Sequence, residues 1–226
     1  MWQQSFVTRG FAVIADVFAS EELGVVQRDL LSARFRRSRA GARHILHHPS
    51  IANLANDPRL LDIARPILGT DPRPFRATLF DKSPSANWLV VWHQDTALPL
   101  LERAELAGWG PWSVKEGVIY AHAPTEALEG ILALRIHLDD STDKNGPLRV
   151  LPGTHTRGVL NDTEIKRLAS QIAPVDCLVK AGGVLAMQPL IVHASSKSLI
   201  STARRVLHIE YTGRMLIAEN LQLACA

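Results

Sequence analysis

A chain of 226 residues, 46% hydrophobic and 21% charged, can bury a sizeable core and fits one large domain. Its net charge of +3 is too mild to argue for a nucleic-acid or membrane partner. Met1-Trp2-Gln3-Gln4 lacks a basic, then apolar, leader pattern, and Cys177 and Cys225 do not look like a disulfide framework, so a reducing cytoplasm is the expected location.

In chain order, Phe11 to Ile14 reads as a short strand. Ser20 is the expected cap of a helix with Glu21 and Glu22 in its first turn and Leu23, Val26, Leu30 and Leu31 at helical spacing. A basic stretch follows with Arg34, Arg36, Arg37, Arg39 and Arg43, and a second helical pattern over about 58–68 stops at Gly69. The texture then changes to short strands. These are expected at 76–81, 88–92, 131–138, 148–151, 174–179, 183–187 and 204–212, with a surface helix at 161–171. The segment 96–130, with Trp109, Trp112, Pro99, Pro111 and Pro124, has weak periodicity and reads as a long loop or lid.

Helices first and many strands afterwards predict an α+β, mainly β protein, one domain over 1–226. A helical flank over about 1–70 would precede a β core over about 73–215. Within that core, His93-Gln94-Asp95 carries the chemistry. Residues i and i+2 on a strand point to one side, so an imidazole and a carboxylate can share a metal. The pair alone is a weak sign, because nine histidines and 22 acidic residues produce such pairs by chance. His193, after the apolar run Leu190-Ile191-Val192, supplies a remote third ligand. Two His and one carboxylate on one face leave three coordination positions open, as in the facial triad of iron(II) oxygenases. The remaining histidines are read differently: His44, His47, His48 and His122 as structural or surface residues, and His137 as packed inside the core.

Arg204 lies 204 − 193 = 11 residues past His193. A guanidinium forks onto a carboxylate in a way that Lys cannot reproduce, so Arg204 can hold the far end of a 2-oxo dicarboxylate. Arg204 and Arg205 alternate along a strand, so only one faces inward. His208 shares the Arg204 face and is a candidate substrate contact. Arg43, beside the apolar pair Ile45-Leu46, is another, as are Trp109, Trp112 and Tyr120. The arginines of 34–43 could attract an anionic small molecule.

Several stretches together resemble the phytanoyl-CoA dioxygenase family of iron(II)/2-oxoglutarate oxygenases, in its bacterial form. They are Gly10-Phe11-Ala12-Val13-Ile14, Trp92-His93-Gln94-Asp95, Asn145-Gly146-Pro147-Leu148, Leu151-Pro152-Gly153-Thr154-His155, and His193-x-Ser195 with Arg204. Ser198 departs from the Asn that many relatives carry. The resemblance implies a double-stranded β-helix (jelly-roll) core with helices packed on one side. It implies iron on His93, Asp95 and His193, and 2-oxoglutarate on Arg204 with Ser195 close by. Thr78, Lys82, Gln94 and Arg135 would border the co-substrate. Dioxygen would be the oxidant, and Asp95 argues for hydroxylation over halogenation, because related halogenases lack that carboxylate. Two rivals are a catalytically silent jelly-roll metal-binding protein and a zinc hydrolase; the latter has no need of Arg204.

Overall fold

The computed structural model describes residues 2–33, 35–38, 41–69 and 71–226. Arg34 and Arg39 of the basic stretch lie outside the described residues. Helix α1 (Trp2–Arg9) leads into β1 (Phe11–Ile14) and α2 (Ser20–Ser32). The hairpin β2 (Arg37–Ser38) and β3 (Gly41–Ala42) precedes α3 (Pro49–Ala55) and α4 (Pro58–Leu68). The strands are β4 (Arg73–Lys82), β5 (Val90–His93), β6 (Ala97–Leu100), β7 (Trp112–Lys115) and β8 (Val118–His122). After α5 (Thr125–Leu128) come β9 (Ile131–His137), β10 (Leu148–Val150), α6 (Asp162–Gln171), β11 (Val175–Cys177) and β12 (Val184–Met187). The chain continues through β13 (His193–Ser195), β14 (Arg204–Thr212), β15 (Leu216–Ala218) and β16 (Leu221–Gln222).

Two antiparallel sheets make the double-stranded β-helix. The major sheet has the order β1-β12-β9-β14-β4-β3-β2, and the minor sheet β11-β10-β13-β5. The two faces of the major sheet differ because side chains alternate along each strand. Ala77, Leu79, Leu132, Leu134, Ile136, Leu207, Ile209 and Tyr211 point outward into a core shared with Leu23, Leu30, Ile51, Leu54, Leu60 and Ile63 of the helices. The alternate positions line the inside of the barrel. Those of the central strands read Arg76, Thr78, Phe80, Lys82; Arg135, His137; and Arg204, Val206, His208, Glu210. One end of the barrel is apolar, closed by Phe11, Leu148, Val150, Leu185, Met187 and Ile191. The other end is polar.

Local chemistry explains the helix boundaries. Asp57 accepts from the Arg59 N–H at 2.9 Å, Pro58 opens α4, and Gly69 ends it with a positive φ of 90°. Helix α2 begins one residue differently from expectation. Ala19 occupies the cap position, Ser20 is the first helical residue, and the Glu22 carboxylate accepts the Ala19 N–H at 2.8 Å. Helices α1 and α3 were not expected; each is short and held by burial, Phe6 in one and Ile51 in the other.

The segment 96–130 also differs from a loop. It folds into a three-stranded sheet, β6-β8-β7, followed by α5. Leu98, Leu100, Ala121 and Leu128 bury its apolar face. Its prolines and short strands obscure the alternation, but the β7–β8 turn is legible in hindsight. Glu116 and Gly117 both have positive φ, 52° and 84°, as a two-residue type I′ hairpin requires. No helix among the described residues is long and apolar enough to cross a membrane.

Tyr211 fastens the sheet to the helical layer. It is fully buried, and its hydroxyl donates to the Ala55 carbonyl at 2.8 Å. Tyr211→Phe should cost about 1 kcal/mol, read as a lower urea midpoint at unchanged slope. An unchanged midpoint would remove this bond from the account of stability.

Candidate active site

Strands β5 and β13 pair antiparallel with His193 directly opposite His93. Asp95, two residues past the end of the pairing, is fixed by its N–H donating to the Pro189 carbonyl at 3.0 Å. The three side chains converge as the i, i+2 spacing predicts, with candidate ligand atoms all within 4.8 Å of one another. His93 Nε2 is 3.6 Å from Asp95 Oδ1, and His193 Nε2 is 3.4 Å from Asp95 Oδ2.

Both imidazoles are held the same way. His93 Nδ1 lies 2.8 Å from the Val91 carbonyl, and His193 Nδ1 lies 2.9 Å from the Ile191 carbonyl. A carbonyl only accepts, so each Nδ1 carries the proton and each Nε2 lone pair faces the shared centre. That second hydrogen bond fixes the tautomer and aim of a metal-binding histidine. Burial pushes His193 down to about 4, so it is neutral and ready to ligate at neutral pH. Burial works against the Asp95 charge, yet the two imidazoles hold its carboxyl well below the usual range. Burial also opposes the charge of His93, but Asp95 outweighs it and raises that imidazole above its ordinary value. Two neutral-capable nitrogens and one carboxylate, with open space on one side, suit a ferrous ion.

Two cavities meet at this triad, and both are bordered by Phe80, His93 and Asp95. The inner one, about 80 Å³, is lined by Trp88, Val90 and Leu148 and ends on Arg135, His193, Ser195 and Arg204. Arg204 faces inward. Arg205 faces outward, where its Nε and Nη2 each donate to Asp139 at 2.8 Å. Arg204 is 3% exposed, and its Nε donates a long hydrogen bond of 3.3 Å to the Asn145 carbonyl. Its Nη1 and the Nε of Arg135 are buried with no partner among the described residues. Burial, then their mutual repulsion, pushes Arg204 down to about 10; burial also brings Arg135 to about 10. Lys82 is a third buried cation. Its Nζ donates to Ser195 Oγ at 2.8 Å and to the Ser196 carbonyl at 2.5 Å, and Ser195 Oγ donates on to the Gly146 carbonyl at 2.9 Å. Burial, then Arg204 and Arg135, push Lys82 down to about 8. Buried charge without a counter-charge is costly, and unpaired guanidinium donors at the end of a cavity fit an incoming carboxylate.

The Asn145–His155 signature proves to be scaffolding for this cavity. A Cβ on Gly146, which has a φ of 67°, would lie 2.3 Å from the Ser196 carbonyl and 2.9 Å from Lys82 Nζ, so only Gly fits. Thr154 Oγ1 accepts the Val192 N–H at 2.9 Å, which holds the residue before His193. His155 Nε2 contacts the Val7 carbonyl of α1 at 3.1 Å.

The outer cavity, about 320 Å³, is larger and more polar. Thr78, Tyr120 and His208 line it together with Arg43, Arg76, Lys115 and His122. Arg76 forms a two-pronged pair with the buried Glu210, with Nη2 at 2.6 Å from Oε1. Burial opposes both charges; the pairing outweighs it, raising Arg76 and lowering Glu210. His208 joins the two cavities, because Arg135 Nη1 donates to its Nδ1 at 3.1 Å and its Nε2 lies 3.9 Å from Glu210.

Several expected residues fall elsewhere. Gln94 does not offer its side chain to a co-substrate. Its Nε2 donates to the Gly158 and Leu190 carbonyls at 2.9 and 2.7 Å, and its Oε1 accepts the Leu160 N–H at 2.8 Å. The amide is fully spent on holding backbone around the triad. Thr78 borders the outer cavity and not the inner one. Trp109 and Trp112 pack against the core beneath β6 and β8 and line neither cavity. His122 lines the outer cavity, and His44 bonds Tyr120 Oη at 2.7 Å, so neither is a bystander. Lys115, Arg76 and Glu210 escaped the sequence reading. Arg76 and Glu210 share the inward alternation of Lys82 and Arg204, which was the signal available for them. Lys115 had none, because β7 was not expected.

A carboxylate bound in the inner cavity would raise Lys82 toward its ordinary value. Well below pH 8 the group is already protonated; between about 8 and its raised value in the complex, binding must take up a proton. Calorimetry of 2-oxoglutarate binding in buffers of different ionisation enthalpy should show this uptake, and Lys82→Gln should abolish it. Equal heats in both buffers would detach Lys82 from the site.

The family model for phytanoyl-CoA dioxygenase matches residues 6–206. The chain is 28% identical over 188 residues to L-proline trans-4-hydroxylase of Streptomyces griseoviridis, covering 71% of this chain and 62% of that protein. It is 25% identical over 167 residues to ectoine dioxygenase of Sphingopyxis alaskensis, covering 67% and 48%. The chain therefore spans only about half to three-fifths of the length of these relatives. In fold it is similar to the crystal structure of EctD from S. alaskensis with 2-oxoglutarate and 5-hydroxyectoine, with a TM-score of 0.70 at 21% identity, covering 92% of this chain and 74% of that one. With a family match that runs through the triad and reaches past Arg204, the chain belongs to the phytanoyl-CoA dioxygenase family.

Proposed function

We propose that this chain is an iron(II)- and 2-oxoglutarate-dependent dioxygenase that hydroxylates an aliphatic C–H bond of a small molecule. The observation that carries this reading is the cluster of His93, Asp95 and His193 between two cavities that share His93 and Asp95, with the inner one reaching His193 and ending on unpaired donors of Arg204 and Arg135. The balance is one C–H, dioxygen and 2-oxoglutarate in, and one C–OH, succinate and carbon dioxide out. Iron, when bound, supplies the dioxygen chemistry that couples these changes.

The protein's own part is binding and orientation. His93 and His193 present Nε2, and Asp95 presents its charge. Arg204 takes the far carboxylate of 2-oxoglutarate by its fork, with Arg135 beside it. Lys82 and Ser195 hold the carbonyls around that end. Phe80, Trp88, Val90 and Leu148 exclude water from the inner cavity. The outer cavity receives the substrate, with Tyr120, His208 and Thr78 in its wall. At about 320 Å³ it is at the small end of ligand pockets, which favours a compact metabolite over a long acyl chain. The carboxylate at position 95 fills a coordination position, which supports hydroxylation over halogenation.

Mixing the protein with iron(II) and 2-oxoglutarate without oxygen should give a visible metal-to-ligand charge-transfer band. His193→Ala should give none, and Arg204→Met should raise the 2-oxoglutarate needed for half the signal by about 10- to 100-fold. No band in the native protein, or one that survives His93→Ala, would end this reading.

A further inference from the structure

The outer cavity has a charge imbalance that iron and 2-oxoglutarate do not explain. Three cationic side chains line it: Arg43, Arg76 and Lys115. Arg76 is matched by Glu210, and Asp95 belongs to the triad. Arg43 is exposed and makes no hydrogen bond or ion pair with any described residue, and the half-buried Lys115 places its Nζ 4.7 Å from the centroid of the Tyr120 ring. Glu116, the nearest remaining acid on the same hairpin, is exposed.

These two cations come from separate elements. Arg43 precedes His44, a non-glycine residue with a φ of 56°, and Lys115 precedes the type I′ turn of the β7–β8 hairpin. Non-glycine residues with positive φ are uncommon and persist where surrounding structure over-determines them. His44 is over-determined by Tyr120, which it bonds at 2.7 Å and stacks against at 5.8 Å. Tyr120 therefore ties the Arg43 segment to the β7–β8 hairpin that carries Lys115. Burial, then the charges of Arg43 and Arg76, pull Lys115 below its ordinary value. Asp95 of the triad counters that pull, but no described carboxylate pairs with Lys115 directly.

The geometry points to Arg43 and Lys115 as the specificity-determining pair that binds an oxyanion of the substrate, a carboxylate or a phosphate, in the outer cavity. The inference rests on the oxygenase reading and adds to it that the oxidised molecule is anionic. The anion anchors one end of the substrate, and the C–H to be oxidised lies toward the triad.

The test uses the iron(II)-loaded protein, saturated with 2-oxoglutarate under anaerobic conditions, and calorimetry with three probes: phenyl phosphate, benzoate and benzyl alcohol. At least one oxyanion should bind, weakening as salt rises, and benzyl alcohol should bind at least tenfold more weakly. Whichever oxyanion binds better identifies the anionic group. Arg43→Gln and Lys115→Gln should each weaken oxyanion binding about tenfold while keeping the charge-transfer band, which also shows that they fold. The pair is overturned if neither oxyanion binds, if benzyl alcohol binds as well, or if both variants bind like the native protein. Failure of the oxygenase reading would show instead as a native protein with no band, whatever the calorimetry gives.

Discussion

The pairing of β13 with β5 is the contact on which the site depends. It sets His193 opposite His93 across the minor sheet and aligns two imidazoles whose Nδ1 atoms are each tied to a carbonyl two residues back. The two histidines thereby become copies of one local arrangement on antiparallel strands. Asp95 completes the set from just beyond the end of the pairing, where its N–H is held by the Pro189 carbonyl. Neighbouring features serve this contact: Thr154 holds Val192, and Gln94 holds the backbone at Leu190 and Leu160.

The barrel interior trades stability for binding. Lys82, Arg135 and Arg204 sit together almost fully buried, with carbonyls, a hydroxyl and an imidazole as their nearest compensation. Arg76, which shares β4 with Lys82, has a carboxylate of its own in Glu210. Such an arrangement persists because the opposite face of the same sheet buries a continuous apolar layer against α2, α3 and α4. The hydrophobic contribution there, of order 25 cal/mol per Å² buried, offsets the cost of cations awaiting an anion. Alternation lets one set of strands serve two environments: odd positions of β4 and β14 and even positions of β9 face the apolar layer, and the alternate positions face the interior.

Much of this was legible in residues. The triad was, because a His-x-Asp on a strand end has one geometry and His193 follows an apolar strand-like run. The inward face of β14 was, because Arg204, Val206, His208 and Glu210 share parity. The role of Gln94 was not, because whether an amide meets a ligand or backbone depends on chain segments at Gly158, Leu160 and Leu190 that are distant in sequence. Trp109 and Trp112 carried the composition of a lid but pack, half-buried, against a satellite core. The sheet β6-β8-β7 escaped because Pro99 sits inside β6, Pro111 directly precedes β7, and alternation over strands of four or five residues is weak.

The sequence by itself determined the mainly β fold class and picked out His93, Asp95 and His193 as a cluster that could hold a metal, because element order, local spacing and side-chain chemistry carry both. Tertiary structure decided which of Arg204 and Arg205 faces inward, by giving Asp139 to Arg205. It also decided that Gln94 supports backbone, that His122 borders the outer cavity, and that Arg43 meets Lys115 there. The physical reason is common to these cases. Parity along a strand says that two residues share a face, but only the packing of remote segments says what fills the space in front of them.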